Sequence, residues 1–177
     1  IAEQANSRIH IPLVSTKQSI DIIKEFQKKG INVTAEVTPH HIAFNEEAVS
    51  KYNTNAKVYP PLRSEQNRKE IINGIKNKVI SCISSDHSPH SSEDKEKDIK
   101  HAPFGTVALE SAFSVSYTEL IKNGLNIREI IKLFTSGPKK VFNLDVESIK
   151  VNNNANLVII DPKKTWTFQE SDIYSQS

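Results

Sequence analysis

The 177-residue chain holds six histidines, at positions 10, 40, 41, 87, 90 and 101, and two of them fall in its densest chemical run, Ser85-Asp86-His87-Ser88-Pro89-His90. That run directly follows the apolar stretch 79–84, which puts Asp86 at the tip of a strand. A carboxylate placed there can bind a hard or borderline cation and act as general base toward a water on that cation. The plainer reading makes Asp86 a turn cap and His90 a surface loop residue. Thr38-Pro39-His40-His41 closes a second apolar stretch, 31–37. Paired histidines can ligate a metal, yet neighbours on a strand point to opposite faces, so packing is the expected role of both. His10, inside a strand, is expected to be a core or supporting residue. A hydrolytic zinc site takes about three protein ligands and an open position. Asp86 alone is well placed for that, so further ligands must be borrowed from elsewhere.

The elements that must position these residues alternate between strand and helix. Ser15-Thr16-Lys17-Gln18 is a capping-box candidate with Ser15 as N-cap, and Ile20, Ile23 and Phe26 recur at helical spacing before Gly30, a C′ candidate. A strand is expected over 31–37, a helix from Ser64 to Asn77 carrying Ile71, Ile72 and Ile75, and a strand over 79–84. Such an order implies an α/β fold with a parallel sheet, whose right-handed crossovers bring the loops after Val14, Val37 and Ser84 to one C-terminal edge. Helices over 106–122 and 126–134 should cover the sheet, with a break at Gly137-Pro138. The stretches 157–160 and 166–168 read as two short strands of a second, all-β layer. The expected division is therefore 1–145 and 146–177.

Composition excludes several classes. With 23 basic and 21 acidic side chains the net charge is +2, and the densest charged run, 93–100, alternates in sign. No nucleic-acid or acidic partner is implied. No apolar stretch reaches the length of a membrane span. The single cysteine, Cys82, excludes a disulfide framework within the chain and favours a reducing, cytoplasmic setting. A start at Ile1 with no Met, and a length below the roughly 250 residues of a complete (β/α)8 barrel, are what a fragment or cleaved product would show.

Five segments in register, His10-Ile11-Pro12-Leu13-Val14-Ser15-Thr16, Val33-Thr34-Ala35-Glu36-Val37-Thr38-Pro39-His40-His41, Tyr59-Pro60-Pro61-Leu62-Arg63, Ser85-Asp86-His87-Ser88-Pro89-His90 and Ala102-Pro103-Phe104-Gly105, resemble the class I dihydroorotases of the amidohydrolase superfamily. The resemblance spans nearly the whole chain. It implies a partial (β/α)8 TIM-type barrel, about strands six to eight with their helices, plus part of a small C-terminal β domain. It also implies reversible conversion of N-carbamoyl-aspartate to dihydroorotate, with zinc activating hydroxide for attack on the amide carbonyl. By the same resemblance Asp86 matches the last metal-binding carboxylate, which doubles as the acid/base, and His90 matches a substrate-binding histidine. Phe104 and Gly105 match the backbone that holds the pyrimidine ring.

Two positions depart from the pattern. Leu13 stands where the family has a zinc-ligating histidine, and Tyr59 where it has a substrate-contacting asparagine, whose amide donor and acceptor a phenol cannot reproduce. The implied partners are the small-molecule substrate and further copies of the chain. The two departures favour an alternative, an inactive homologue that serves aspartate transcarbamoylase as a structural partner. A hydantoinase- or allantoinase-like activity fits the segments less well.

Overall fold

The computed structural model describes residues 2–175. Three parallel strands, β1 (Ile9–Ile11), β2 (Val33–Val37) and β3 (Cys82–Ile83), lie side by side in the order β1-β2-β3. His10 is level with Thr34, and Glu36 with Cys82. Helices α1 (Lys17–Lys28) and α3 (Glu65–Lys76) make the two crossovers, and the short α2 (Pro39–Ala43) follows β2 directly. The expected parallel α/β order is thus present. Val33, Ala35 and Val37 point into a core formed with Ile20, Ile23, Ile71, Ile72 and Ile75 of the helices, while Thr34 and Glu36, on the other face of β2, are only partly covered.

Local chemistry sets the ends of these elements, and several expected boundaries move. The N-cap of α1 is Thr16 and not Ser15: Thr16 Oγ1 accepts from the Ser19 amide, while Ser15 is buried. At the other end the Ile31 and Gly30 amides donate to Phe26 and Gln27, and Gly30 has φ +79°, the paired-bond ending that favours glycine. The strand at 79–84 shrinks because the amides of Val79 and Ile80 turn back to Gly74 O; Ser81 and Ser84 still donate across to β2.

A single helical turn, α4 (Ser92–Lys95), follows β3, and the expected helix over 106–122 begins only at α5 (Ala112–Lys122), because the amides of Ala108 and Leu109 are used on His87 Nδ1. Helix α6 (Ile127–Phe134) opens with a capping box, Asn126 and Glu129 each bonding the other's amide. Gly137-Pro138 does not break the chain. Both lie in the first turn of α7 (Ser136–Phe142), where proline's missing N–H costs nothing, and the break falls at Thr135. α6 and α7 lie against β3, and α5 packs on α2 and α6. The stretches 157–160 and 166–168 form no strand; beyond Phe142 the regular element among the described residues is a 3-10 turn at Glu170–Asp172.

Candidate active site

The loops after β1, β2 and β3 leave from one edge of the sheet, and two turn through an unusual backbone conformation. Leu13 has φ 51° and Asp86 φ 48°. Such values in non-glycine residues store roughly 1–3 kcal/mol each and gather at functional sites.

After β2 the chain passes straight into a helix. Thr38 is the N-cap of α2, its Oγ1 accepting from the His41 amide, and Pro39 is the first helical residue. His40 and His41 therefore occupy successive helical positions, about 100° apart around the axis, and not opposite faces of a strand. Their fates differ. His41 is fully used: Nε2–H donates to Pro60 O at 2.9 Å, which leaves Nδ1 to accept from the Thr38 hydroxyl at 2.7 Å. Burial holds its ring down to about 4, against the pull of the Pro60 and Pro61 carbonyls. His40 is equally buried, yet neither ring nitrogen has a hydrogen-bond partner. Burial, and then His41, hold it down to about 3.

His40 Nε2 faces Asp86 Oδ2 at 3.5 Å. Asp86 is half-buried, and its carboxyl is raised above the usual range, first by burial and then by the Glu36 carboxylate. An unprotonated imidazole and a carboxylate at this spacing, too long for a good hydrogen bond, form a two-donor cradle for a cation. His40 is the residue that sequence reasoning assigned to packing.

The remaining residues of the 85–90 run shape the rim. His87 Nδ1 accepts from the Ala108 and Leu109 amides at 3.1 Å each, so His87 anchors the following segment. His90 Nε2–H donates to Phe104 O at 2.9 Å. Gly105 has φ +141°, and a Cβ there would stand 2.4 Å from Ser88 O and 2.9 Å from His90 Nε2; only glycine fits. Asp86, His90, Phe104 and Gly105 are thus brought to one side of the molecule as linked loops. Tyr59 is 72% exposed and lies edge-on to Phe104, 5.6 Å between ring centres. His101 lies apart from these contacts, paired with Asp98 at 2.7 Å.

On the open face of the sheet, donor atoms of His10, Glu36 and Cys82 lie within 4.8 Å of one another. The Thr34 hydroxyl donates to Ile9 O and so accepts from His10 Nδ1–H at 2.8 Å, which turns Nε2 toward Glu36 Oε2 at 3.2 Å. Burial and Glu36 push the Cys82 thiol up to about 12, so by itself it stays a neutral thiol. β1 thus sets His10 beside Glu36 on this face of the sheet.

Parallel strands, a carboxylate at a strand tip and a buried unpartnered imidazole define a class before any name does. The Amidohydrolase family model matches residues 5–175, and the chain belongs to that family. Within it, the chain is 44% identical to a dihydroorotase of Caldicellulosiruptor saccharolyticus over 178 residues, covering 100% of this chain and 41% of that protein. It is 40% identical to a dihydroorotase of Thermus aquaticus over 161 residues, covering 90% of this chain and 38% of that one. The chain therefore spans about two-fifths of the length of these relatives. Among solved structures, the L-hydantoinase (dihydropyrimidinase) of Arthrobacter aurescens matches with a TM-score of 0.74 and 26% identity, over 80% of this chain and 32% of that chain. The dihydropyrimidinase of Brevibacillus agri NCHU1002 matches at 0.72 and 22%, over 78% and 32%, a likeness of fold.

Proposed function

We propose that the chain supplies the C-terminal part of a zinc-dependent dihydroorotase, interconverting N-carbamoyl-L-aspartate and dihydroorotate. The observation that carries this reading is the His40–Asp86 pair: a buried imidazole with no hydrogen-bond partner, 3.5 Å from a half-buried carboxylate. Two donors about 2.0–2.1 Å from one tetrahedral ion stand roughly 3.4 Å apart, so the spacing fits a shared zinc. The dihydroorotase names of the relatives support the substrate class. Zinc held there would supply Lewis-acid polarisation of the amide carbonyl and an activated water. Asp86, whose carboxyl is raised by burial and Glu36, holds and passes the proton that must reach the leaving nitrogen. His90 binds the substrate, and the Phe104–Gly105 backbone holds its ring.

In this reading residues 1–145 form about strands six to eight of a (β/α)8 barrel and 146–177 part of a small β domain, in a cytoplasmic homo-oligomer. The uncovered apolar side chains of 149–160 support that division. The test is zinc content and dihydroorotate hydrolysis of the full-length protein. Asp86→Ala and His40→Ala should each lose zinc and lower kcat/KM by roughly a hundredfold or more. A wild-type protein without zinc or turnover overturns the reading.

Leu13 and Tyr59 favour a second reading, an inactive homologue that partners aspartate transcarbamoylase. Leucine offers no ligand atom, and Tyr59 sits over Phe104. If these two side chains are what limits the site, a Leu13→His, Tyr59→Asn variant will bind zinc more tightly and turn over faster than its parent. Co-elution of the parent with aspartate transcarbamoylase, with no turnover by either protein, selects the second reading.

A further inference from the structure

The loop that carries Phe104 and Gly105 has almost no regular backbone pairing of its own. Backbone bonds tie it to the rest of the chain only at its ends and at Gly105: Ala102 N–H to Asp98 O at 2.9 Å, Gly105 N–H to Lys57 O at 2.9 Å and Ser88 N–H to Thr106 O at 3.0 Å. Its four successive carbonyls are instead taken by side-chain donors. Lys57 Nζ donates to Ala102 O at 2.5 Å, Lys95 Nζ to Pro103 O at 3.0 Å and to Gly105 O at 2.6 Å, and His90 Nε2 to Phe104 O at 2.9 Å. The third proton of the Lys95 ammonium goes to Thr54 O at 3.0 Å, and the Thr54 hydroxyl returns a bond to Lys95 O. An ammonium has three donors and no acceptor, so this one is fully spent on carbonyls. Among the described residues no carboxylate pairs with it; its partners are the carbonyls of Thr54, Pro103 and Gly105. Burial, and then Lys57, lower its proton affinity. Lys57 is itself held 4.4 Å over the Phe104 ring.

We infer that Lys95 is a positioning residue for substrate binding: by holding the carbonyls of Thr54, Pro103 and Gly105 together, it sets the Phe104–Gly105 backbone and the orientation of His90. The inference rests on the reading of that loop as the substrate loop. His90 is oriented by Phe104 O, which lies between the two loop carbonyls that Lys95 holds. Gly105 lies beside Ser88 and His90, where a Cβ would stand 2.4 Å from Ser88 O and 2.9 Å from His90 Nε2. Lys95 and His90 also line one cavity of about 500 Å³, together with Asn55, Thr106 and Phe168.

The test uses the full-length protein. Lys95→Met should raise KM for dihydroorotate roughly tenfold or more while kcat falls by less than about threefold, with zinc content unchanged. Hydrogen exchange of the amides of residues 102 and 104–107 should speed up by at least about tenfold. Lys95→Cys treated with 2-bromoethylamine, which restores an ammonium on a side chain of nearly lysine's length, should recover KM and protection. Lys97→Met, at an exposed lysine paired with Asp94, should change neither. If Lys95→Met does not fold, Lys95→Gln is read in the same way. An unchanged KM with unchanged exchange overturns the inference, as does loss of zinc in step with KM. If the wild type turns over no dihydroorotate, the proposed activity fails, and the exchange of those amides alone then decides whether Lys95 holds the loop.

Discussion

His40 and His41 are chemically identical neighbours with opposite assignments, and the difference is one of partners. His41 spends both ring nitrogens on Thr38 and Pro60, whereas His40 spends neither. The position of Asp86 just beyond β3 is legible from the apolar run that it closes. The role of His40 is not, because it depends on where the strand stops. The sign was nonetheless present: Thr38-Pro39 is an N-cap followed by proline at the first helical position, which starts a helix and separates the two rings. Lys95 had no comparable sign, since carbonyl partners leave no trace in a sequence. The His41 ring also dictates a pH dependence. Its folded value of about 4 lies below the unfolded 6.5, so below pH 6.5 the unfolded ring takes up a proton that the folded ring refuses. Stability is therefore full above about 6.5 and falls as pH drops toward 4, by about 2 kcal/mol at pH 5 from this ring. His41→Gln keeps an amide donor for Pro60 and removes the titration. Urea unfolding of the two proteins should give a shallower loss between pH 7 and 5 for the variant; equal slopes would show that His41 is not the group responsible.

At the scale of elements, the helices were read well where a cap and an apolar period agreed, as in α6 with its Asn126–Glu129 box. Readings failed where another acceptor or a close contact displaced the expected pairing. Val79 and Ile80 look like strand by composition, but their amides are captured by Gly74 O. Gly137-Pro138 looks like a break, yet here glycine is demanded by contact. A Cβ on residue 137 would stand 2.3 Å from Ser81 O and 2.9 Å from Lys132 O, both backbone atoms that cannot swing aside. α7 lies against β3 through this close approach. Helix propensity alone says that Gly137→Ala stabilises by up to about 1 kcal/mol. The contact says the reverse, a loss of about 1–3 kcal/mol. The sign of the change in the denaturation midpoint decides between them, and the contact is expected to win because the clash is with main chain.

The molecule as a whole exposes a large area for its mass. A self-contained globular protein of 19.9 kDa exposes about 8,700 Å². This chain exposes 11,880 Å², about a third more. The excess is not spread evenly. Ile149, Val151, Val158 and Ile159 are 87%, 90%, 85% and 99% exposed, and the face of β2 that carries Thr34 and Glu36 is only partly covered. Strands expected over 157–160 and 166–168 are absent for a related physical reason: a short apolar segment becomes a strand only when another strand satisfies its amides. The apolar run at 157–160 is legible in the sequence, but a sequence does not show whether a partner strand lies beside it. Apolar surface of this extent drives association, so a polypeptide of residues 1–177 expressed alone should elute well above 19.9 kDa and bind a hydrophobic dye strongly. Val158→Lys with Ile159→Glu should remove a large part of that dye binding while leaving the helical signal of α1, α3 and α5 intact, because neither residue belongs to the core. On the proposed division the same pair of charges should destabilise the complete protein, because that reading covers these side chains. A well-dispersed monomer of 1–177 that binds no dye would contradict both the area argument and the division proposed at 145/146.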